Sequence, residues 1–187
     1  PYGSQRSPTA QWTATAAGCC ILGAQSEGPY ITHATRGQIV DMGVTDMTNM
    51  GAAMAPAAFD TLRAVFRDTG TSPKDYDLIV TGDLGAVGSD ILTELFRREG
   101  MTLDNYTDCG LLLYDRKKQD MHAGGSGCGC SAAVLNGYLL EGMRQGRWRR
   151  LLFAPTGALL SPTSSFQGES IPGICHAVIF SRTKEDA

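Results

Sequence analysis

The alternation of apolar and polar positions divides the chain into short strands and amphipathic helices. The clearest signal is Asp77-Leu-Ile-Val-Thr-Gly-Asp83, an apolar run closed by a hydroxyl, a glycine and a carboxylate, as a buried parallel strand ends at a functional edge. Before it, residues 51–69 place Met54, Ala58, Leu62, Val65 and Phe66 on one helical stripe, with Asp60, Arg63 and Arg67 elsewhere. Asn49 or a neighbour is positioned to cap that helix, and Pro56 falls in an early turn. A second helix over roughly 88–98 buries Ile91, Leu92, Leu95 and Phe96, and residues 106–113 are apolar enough for another buried strand.

The flanks read as strands. Residues 11–22 are small, β-branched and increasingly apolar, the pattern of a strand buried on both faces. After a turn at 25–29, residues 30–40 alternate, so the two runs are expected to form a hairpin; His33 within it reads as a satisfied strand histidine. Residues 150–157 form a strand with Pro155 at its end or at a bulge, and 174–181 alternate as the last strand. Residues 1–10 are an extended lead-in and 183–187 a frayed tail. The order β-β-α-β-α-β-α-β-β predicts an α/β fold with right-handed crossovers and helices on the sheet faces. A ligand then sits beyond the carboxyl ends of the strands, where Thr81, Gly82, Asp83, Thr156 and Gly157 gather with the helix start after Gly127.

That helix follows the chain's most unusual stretch, residues 122–133, His-Ala-Gly-Gly-Ser-Gly-Cys-Gly-Cys-Ser-Ala-Ala. A glycine-rich loop opening a helix, which runs to about residue 145, presents unpaired N–H groups to an anion. It equally describes a tight turn with small residues for close packing, and no phosphate-loop motif is present.

Composition narrows the classes. The 187 residues suffice for one domain with a real core, and a formal net charge of −3 argues against general nucleic-acid binding. Arg144, Arg147, Arg149 and Arg150 around Trp148 read as the solvated cap of a helix end rather than a binding patch. The six cysteines lack the spacing of a disulfide scaffold, Cys128-Gly-Cys130 lacks that of a zinc knuckle, and no metal is expected. No signal peptide or bilayer-length apolar run occurs, so membrane association is expected through partners. The chain starts at Pro1 rather than Met, and further chain upstream is expected.

Several strings carry a resemblance: Pro8-Thr-Ala-Gln-Trp12, Ile31-Thr-His-Ala-Thr35, Asp77-Leu-Ile-Val-Thr-Gly-Asp-Leu84, Asp108-Cys-Gly110, the 122–131 stretch, Thr156-Gly-Ala-Leu-Leu-Ser-Pro162 and Gln167-Gly-Glu-Ser-Ile-Pro-Gly173. Together they closely resemble the stage V sporulation protein AD family over nearly the whole chain. The resemblance implies a thiolase-like α/β fold of two related halves, each a mixed five-stranded sheet with helices on both faces. Residues 1–45 would be the closing strands of the first half and 46–187 the second half. The rest of the first half would be removed by cleavage or sit in a separate chain, leaving apolar surface for it or for a second copy to cover.

The chemistry implied by the resemblance departs from acyl transfer. Thiolase-like enzymes take their cysteine nucleophile from the first half. His122 here only loosely resembles their Gly-His-Pro segment, and no Cys-x-Gly-Gly-Gly element precedes the last strand. Cys128 and Cys130 read as small, buried, unreactive thiols, and no catalytic residue or cofactor is assigned. The family is associated instead with dipicolinic acid and its movement into the developing spore, alongside membrane proteins of the same transport system. That implies a peripheral position on the cytoplasmic side of the forespore or spore inner membrane. A dicarboxylate would meet the backbone of Gly124, Gly125, Ser126 and Gly127, the side chains of Ser126, Gln167 and Thr156, a protonated His122, and Arg6 at its second carboxylate. The alternatives are an acyltransferase whose nucleophile lies on the missing half, or a scaffold subunit with a degenerate pocket.

Overall fold

The computed structural model describes residues 7–24 and 27–184. In chain order its strands and helices are β1 (Trp12–Thr13), β2 (Tyr30–Thr35), β3 (Ile39–Val40), α1 (Met50–Thr69), β4 (Leu78–Thr81), α2 (Gly85–Arg98), β5 (Tyr106–Asp108), α3 (Cys109–Leu113), β6 (Gly125–Ser126), α4 (Cys130–Val134), α5 (Leu140–Arg144), β7 (Arg150–Ala154), β8 (Thr156–Ala158), α6 (Pro162–Phe166), β9 (Gly173–Cys175) and β10 (Ala177–Ser181). A wider π-turn over Leu135–Leu139 joins α4 to α5, so the expected helix after the glycine-rich loop is present with one bulge.

The frame is a five-stranded mixed sheet in the order β2-β10-β7-β4-β5, in which only β10 runs against the others. Strand alternation sends successive side chains to opposite faces. Ile79, Leu152, Ala154, Ala177 and Ile179 face α1 and α2, packing with Leu62, Val65, Phe66, Leu92 and Phe96. Val80, Leu151, Phe153 and Phe180 face the other side, against Cys109, Cys130, Val134, Leu139 and Met143. Helices therefore cover both faces, as expected from the sequence. Starting α1, Asn49 accepts from the Ala52 N–H at 3.3 Å; Gly70, at φ 65°, ends the helix by donating to Phe66. A β-carbon on Gly51 would sit 2.5 Å from the Leu84 carbonyl, so glycine is what lets the starts of α1 and α2 touch.

The flanking expectations fail in instructive ways. Residues 11–22 do not form a buried strand: only Trp12–Thr13 pairs, in parallel with β6, and 15–24 lie exposed, with Ile21 at 96% and Leu22 at 75%. No hairpin joins this run to β2, which pairs with β10 instead. An apolar pattern states what a segment would bury, and here nothing among the described residues lies over its outer side. Residues 30–40 divide at Gly37, which presses against the Cys175 carbonyl, into β2 and β3, and β3 enters a separate three-stranded sheet with β9 and β8. The strand over 150–157 divides at Pro155, where a residue without an N–H was expected to end it, and the last strand divides at His176.

The run 106–113 also switches, from β5 into α3 at Asp108, because that carboxylate caps the following turn. Asp108 is fully buried and accepts from the Gly110 N–H at 2.9 Å, the Gly85 N–H at 3.0 Å, the Leu84 N–H at 3.0 Å and the Thr81 hydroxyl at 2.6 Å. One side chain thus holds the end of β4 and the starts of α2 and α3. Asp108→Ala would strand three buried N–H groups, each worth about 1–3 kcal/mol. It is expected to lower the thermal midpoint by roughly 6 °C or more, with Asp108→Asn intermediate because its amide nitrogen meets another donor. Thermal unfolding followed by circular dichroism measures this, and an unshifted midpoint would show that the clamp is dispensable.

Candidate functional site

The carboxyl edge of β4 and β7 is where the topology gathers chemistry. β4 ends at Thr81; Gly82 then passes so close to β8 that a β-carbon there would lie 2.7 Å from the Thr156 nitrogen. The next residue, Asp83, turns its carboxylate into the glycine-rich loop. It accepts from the Ser126 hydroxyl at 3.0 Å, the Gly127 N–H at 3.1 Å and the Thr156 hydroxyl at 3.3 Å. Gln11 stitches the same elements from behind, its amide donating to the carbonyls of Asp83 at 2.9 Å and Gly125 at 3.0 Å. The loop does receive a carboxylate on its N–H and hydroxyl donors, as its composition suggested, but the carboxylate is the protein's own.

Beside this cluster opens a cleft of about 600 Å³. Met50, Met54, Leu135, Phe153 and Pro155 give it apolar walls, while Asp83, Ser126, Ser131 and Thr156 supply polar groups and Gly127 and Cys128 form part of the rim. Such a mostly apolar concavity with a few convergent polar atoms is the usual form of a small-molecule site.

The expected site residues divide on this geometry. Ser126, Gly127 and Thr156 line the cleft. Gly124 and Gly125 do not: the Gly124 N–H donates to the Met121 carbonyl, its carbonyl accepts from Trp12, and Gly125 pairs with Trp12 in the β1–β6 ladder. His122 stands away from the cleft, its Nδ1 2.7 Å from the Ser7 carbonyl oxygen and its Nε2 3.2 Å from Asp120. Gln167 follows α6 on the exposed surface and is no part of the lining. Arg6 lies outside the described residues. Asp83, which the sequence placed at this edge but not among the ligand contacts, is the residue that organises the cluster.

Burial sets the acidity of the site. Desolvation raises the Asp83 pKa above the ordinary carboxylate value, opposed by the bonds from Ser126, Gly127 and Thr156. Asp108 is likewise raised by burial against its own hydrogen bonds, and the Asp83 charge adds to the effect. The thiols near these carboxylates are held protonated: Cys130 is pushed up to about 12 by burial and then by Asp83, and Cys109 is raised further in the same direction. Cys128 corrects the expectation of a buried thiol, because it is exposed on the cleft rim, whereas Cys130 is buried as expected. Among the described residues no group of side chains is arranged to hold a metal ion.

Comparison with known proteins gives the context. A family model described as Stage V sporulation protein AD (SpoVAD) matches residues 1–181. The chain is 44% identical over 182 residues to the stage V sporulation protein AD of Bacillus subtilis (strain 168), covering 97% of this chain and 54% of that protein. It therefore spans about half the length of this relative. Among solved structures it is similar to human mitochondrial 3-ketoacyl-CoA thiolase (TM-score 0.42, 16% identity, 80% of this chain and 30% of that one). It is also similar to 3-oxoacyl-[acyl-carrier-protein] synthase III of Aquifex aeolicus VF5 (TM-score 0.45, 11% identity, 84% and 46%).

Two outcomes follow from the site's acidity. Iodoacetamide at neutral pH should label Cys128 in the folded protein while Cys109, Cys130 and Cys175 react only after unfolding, as peptide mass spectrometry will read; equal labelling of Cys128 and Cys130 would refute the assigned burial. The raised pKa of Asp83 means that the folded protein holds a proton the unfolded chain releases. Its contribution to stability is therefore present below the unfolded carboxyl pKa and lost as pH rises through the folded value. Asp83→Asn should accordingly gain in thermal midpoint relative to the wild type as pH rises from about 4 to 7, and a difference independent of pH would sink the assignment.

Proposed function

The chain belongs to the stage V sporulation protein AD family, and from that premise we propose that it is a binding protein without catalytic turnover, whose cleft takes a small aromatic dicarboxylate of the dipicolinate kind and which assists that compound's uptake into the developing spore. The observation that carries the reading is the cleft itself, in which apolar walls face a short row of hydroxyls. Met50, Met54, Leu135 and Phe153 suit the faces of a flat ring. Ser131 can donate to a carboxylate directly, and protonation of Asp83, which burial favours, would loosen its hold on the Ser126 and Thr156 hydroxyls so that these turn to the ligand as well.

The absence of turnover is supported by what surrounds the cleft. A thiol nucleophile needs a lowered pKa and a base within reach. Cys130 is instead pushed up to about 12, and the His122 ring is committed to Ser7 and Asp120 away from the cleft. No helix among the described residues is long and apolar enough to cross a membrane. The proposed position is accordingly peripheral, on the cytoplasmic side of the forespore or spore inner membrane, with membrane proteins of the same transport system as partners. The exposed apolar run around Ile21 and Leu22 supports a neighbour in the assembly, either the remaining half of the same protein or a second copy.

Calorimetric titration of the full-length protein tests the reading. Dipicolinate should bind saturably, with Thr156→Val or Ser126→Ala weakening it by about tenfold or more, the loss of a hydrogen bond to a charged group. Asp83→Asn, an uncharged stand-in for the protonated carboxyl, should bind at least as tightly and with less dependence on pH than the wild type. No saturable heat with dipicolinate would overturn the ligand assignment, and turnover of an acyl-CoA would overturn the absence of catalysis.

A further inference from the structure

The opposite end of the sheet carries a charge pattern the cleft does not use. Ser181 of β10 pairs with both Arg150 of β7 and Tyr30 of β2, so the end of one strand and the starts of two others meet there. Five residues of strand, roughly 15 Å, separate this end from the cleft edge. The helical run finishes at Arg144, and Gly146, at φ 79°, turns the chain so that the Arg182 guanidinium lies against it. Arg182 also donates its backbone N–H to the Arg149 carbonyl at 2.7 Å. Cations far apart in sequence are thereby brought together: Arg144, Arg147 and Arg149 at and after the helix end, Arg182 and Lys184 just after the last strand.

Aromatic rings hold part of this set in place. The Arg147 guanidinium stands 5.1 Å from the Tyr138 ring and 5.5 Å from the Trp148 ring, and the Lys184 ammonium 5.6 Å from the Tyr30 ring. Arg144 and Arg182 wall a groove of about 500 Å³ whose lining is completed by Glu27, Gly28, Pro29 and Thr183. The nearby carboxylates are discrete. Glu141 reaches Arg144 at 3.7 Å, Asp77 is occupied by the N–H groups of Arg149 and Arg150 at 2.6 and 2.9 Å, and Glu27 stands on the groove wall. Among the described residues no carboxylate pairs with the Arg182 guanidinium.

We propose that this groove docks an acidic segment of a partner protein, with Arg144 and Arg182 receiving its carboxylates. Guanidinium forks match carboxylates two bonds at a time. Arginine is also enriched at energetically dominant interface positions. The concavity suits inserted carboxylate side chains better than a flat lipid surface. The site stands apart from the cleft and does not depend on what the cleft binds.

Fluorescence anisotropy with a labelled hexaglutamate peptide and the full-length protein at low salt tests it. Saturable binding is expected, weakened at least about tenfold by Arg144→Glu/Arg182→Glu and changed little by Lys117→Glu/Lys118→Glu, a matched reversal on the loop before His122. Arg144→Gln/Arg182→Gln, which preserves side-chain bulk, should fall between, with circular dichroism confirming that each variant is folded. The proposal is overturned by absent or unsaturable binding, by equal losses in both charge-reversal pairs, by displacement with inorganic phosphate at matched ionic strength, or by phosphatidylglycerol vesicles binding through the same two arginines.

Discussion

A single buried carboxylate holds the carboxyl edge of the central sheet together. Asp108 ends β5 and receives N–H groups from the starts of two helices and the hydroxyl that closes β4, so the β4–α2 turn is tied to the β5–α3 turn 23 to 27 residues further on. A charged acceptor facing helix N-termini is stabilised by their dipoles as well as by the individual bonds. Tyr106 extends the cluster, its hydroxyl lying 2.7 Å from that of Thr81 and 3.0 Å from that of Ser89 on α2. Because Asp108 fixes where α2 begins, it also fixes the turn from which Asp83 reaches the glycine-rich loop.

Asp83 then plays in the cleft the role that Asp108 plays beneath it. The glycine-rich loop needs its positive-φ residues, Gly124 at 105° and Gly127 at 97°, to bend back toward β4. What it meets there is a carboxylate, which consumes the Ser126 hydroxyl and the Gly127 N–H. The Asp83 charge adds to the proton affinity that burial gives Asp108, and both carboxylates add to that of the Cys130 and Cys109 thiols. The same burial that keeps the Cys130 thiol protonated raises the proton affinity of Asp83.

The sheet therefore has two chemically distinct ends. Its carboxyl edge is apolar and hydroxyl-lined around one hydrogen-bonded carboxyl group, whereas its other end carries the Arg144 and Arg182 guanidinium groups on a groove and Arg147 against the Tyr138 and Trp148 rings. A ligand at one end and a partner at the other would not compete for surface.

The sequence by itself determined the elements whose identity is local. The apolar run ending in Thr81-Gly82-Asp83, the stripe from Met54 to Phe66 and the helix after the glycine-rich loop were legible because burial on a strand or a helix face imposes a period on the residues themselves. So was the edge at which Ser126, Gly127 and Thr156 meet. Only the tertiary structure decided what long-range pairing controls. It sent β2 to β10 rather than to its neighbour in sequence, left 15–24 uncovered, and ended β5 early, because the partners of Asp108 lie up to 27 residues away. It withdrew His122 and Gln167 from the cleft and put Asp83 in their place, and it joined Arg182 to the arginines that in sequence were only a helix end. Periodicity records how much of a residue is buried, but the identity of the partner is set by chain topology, which no local pattern carries.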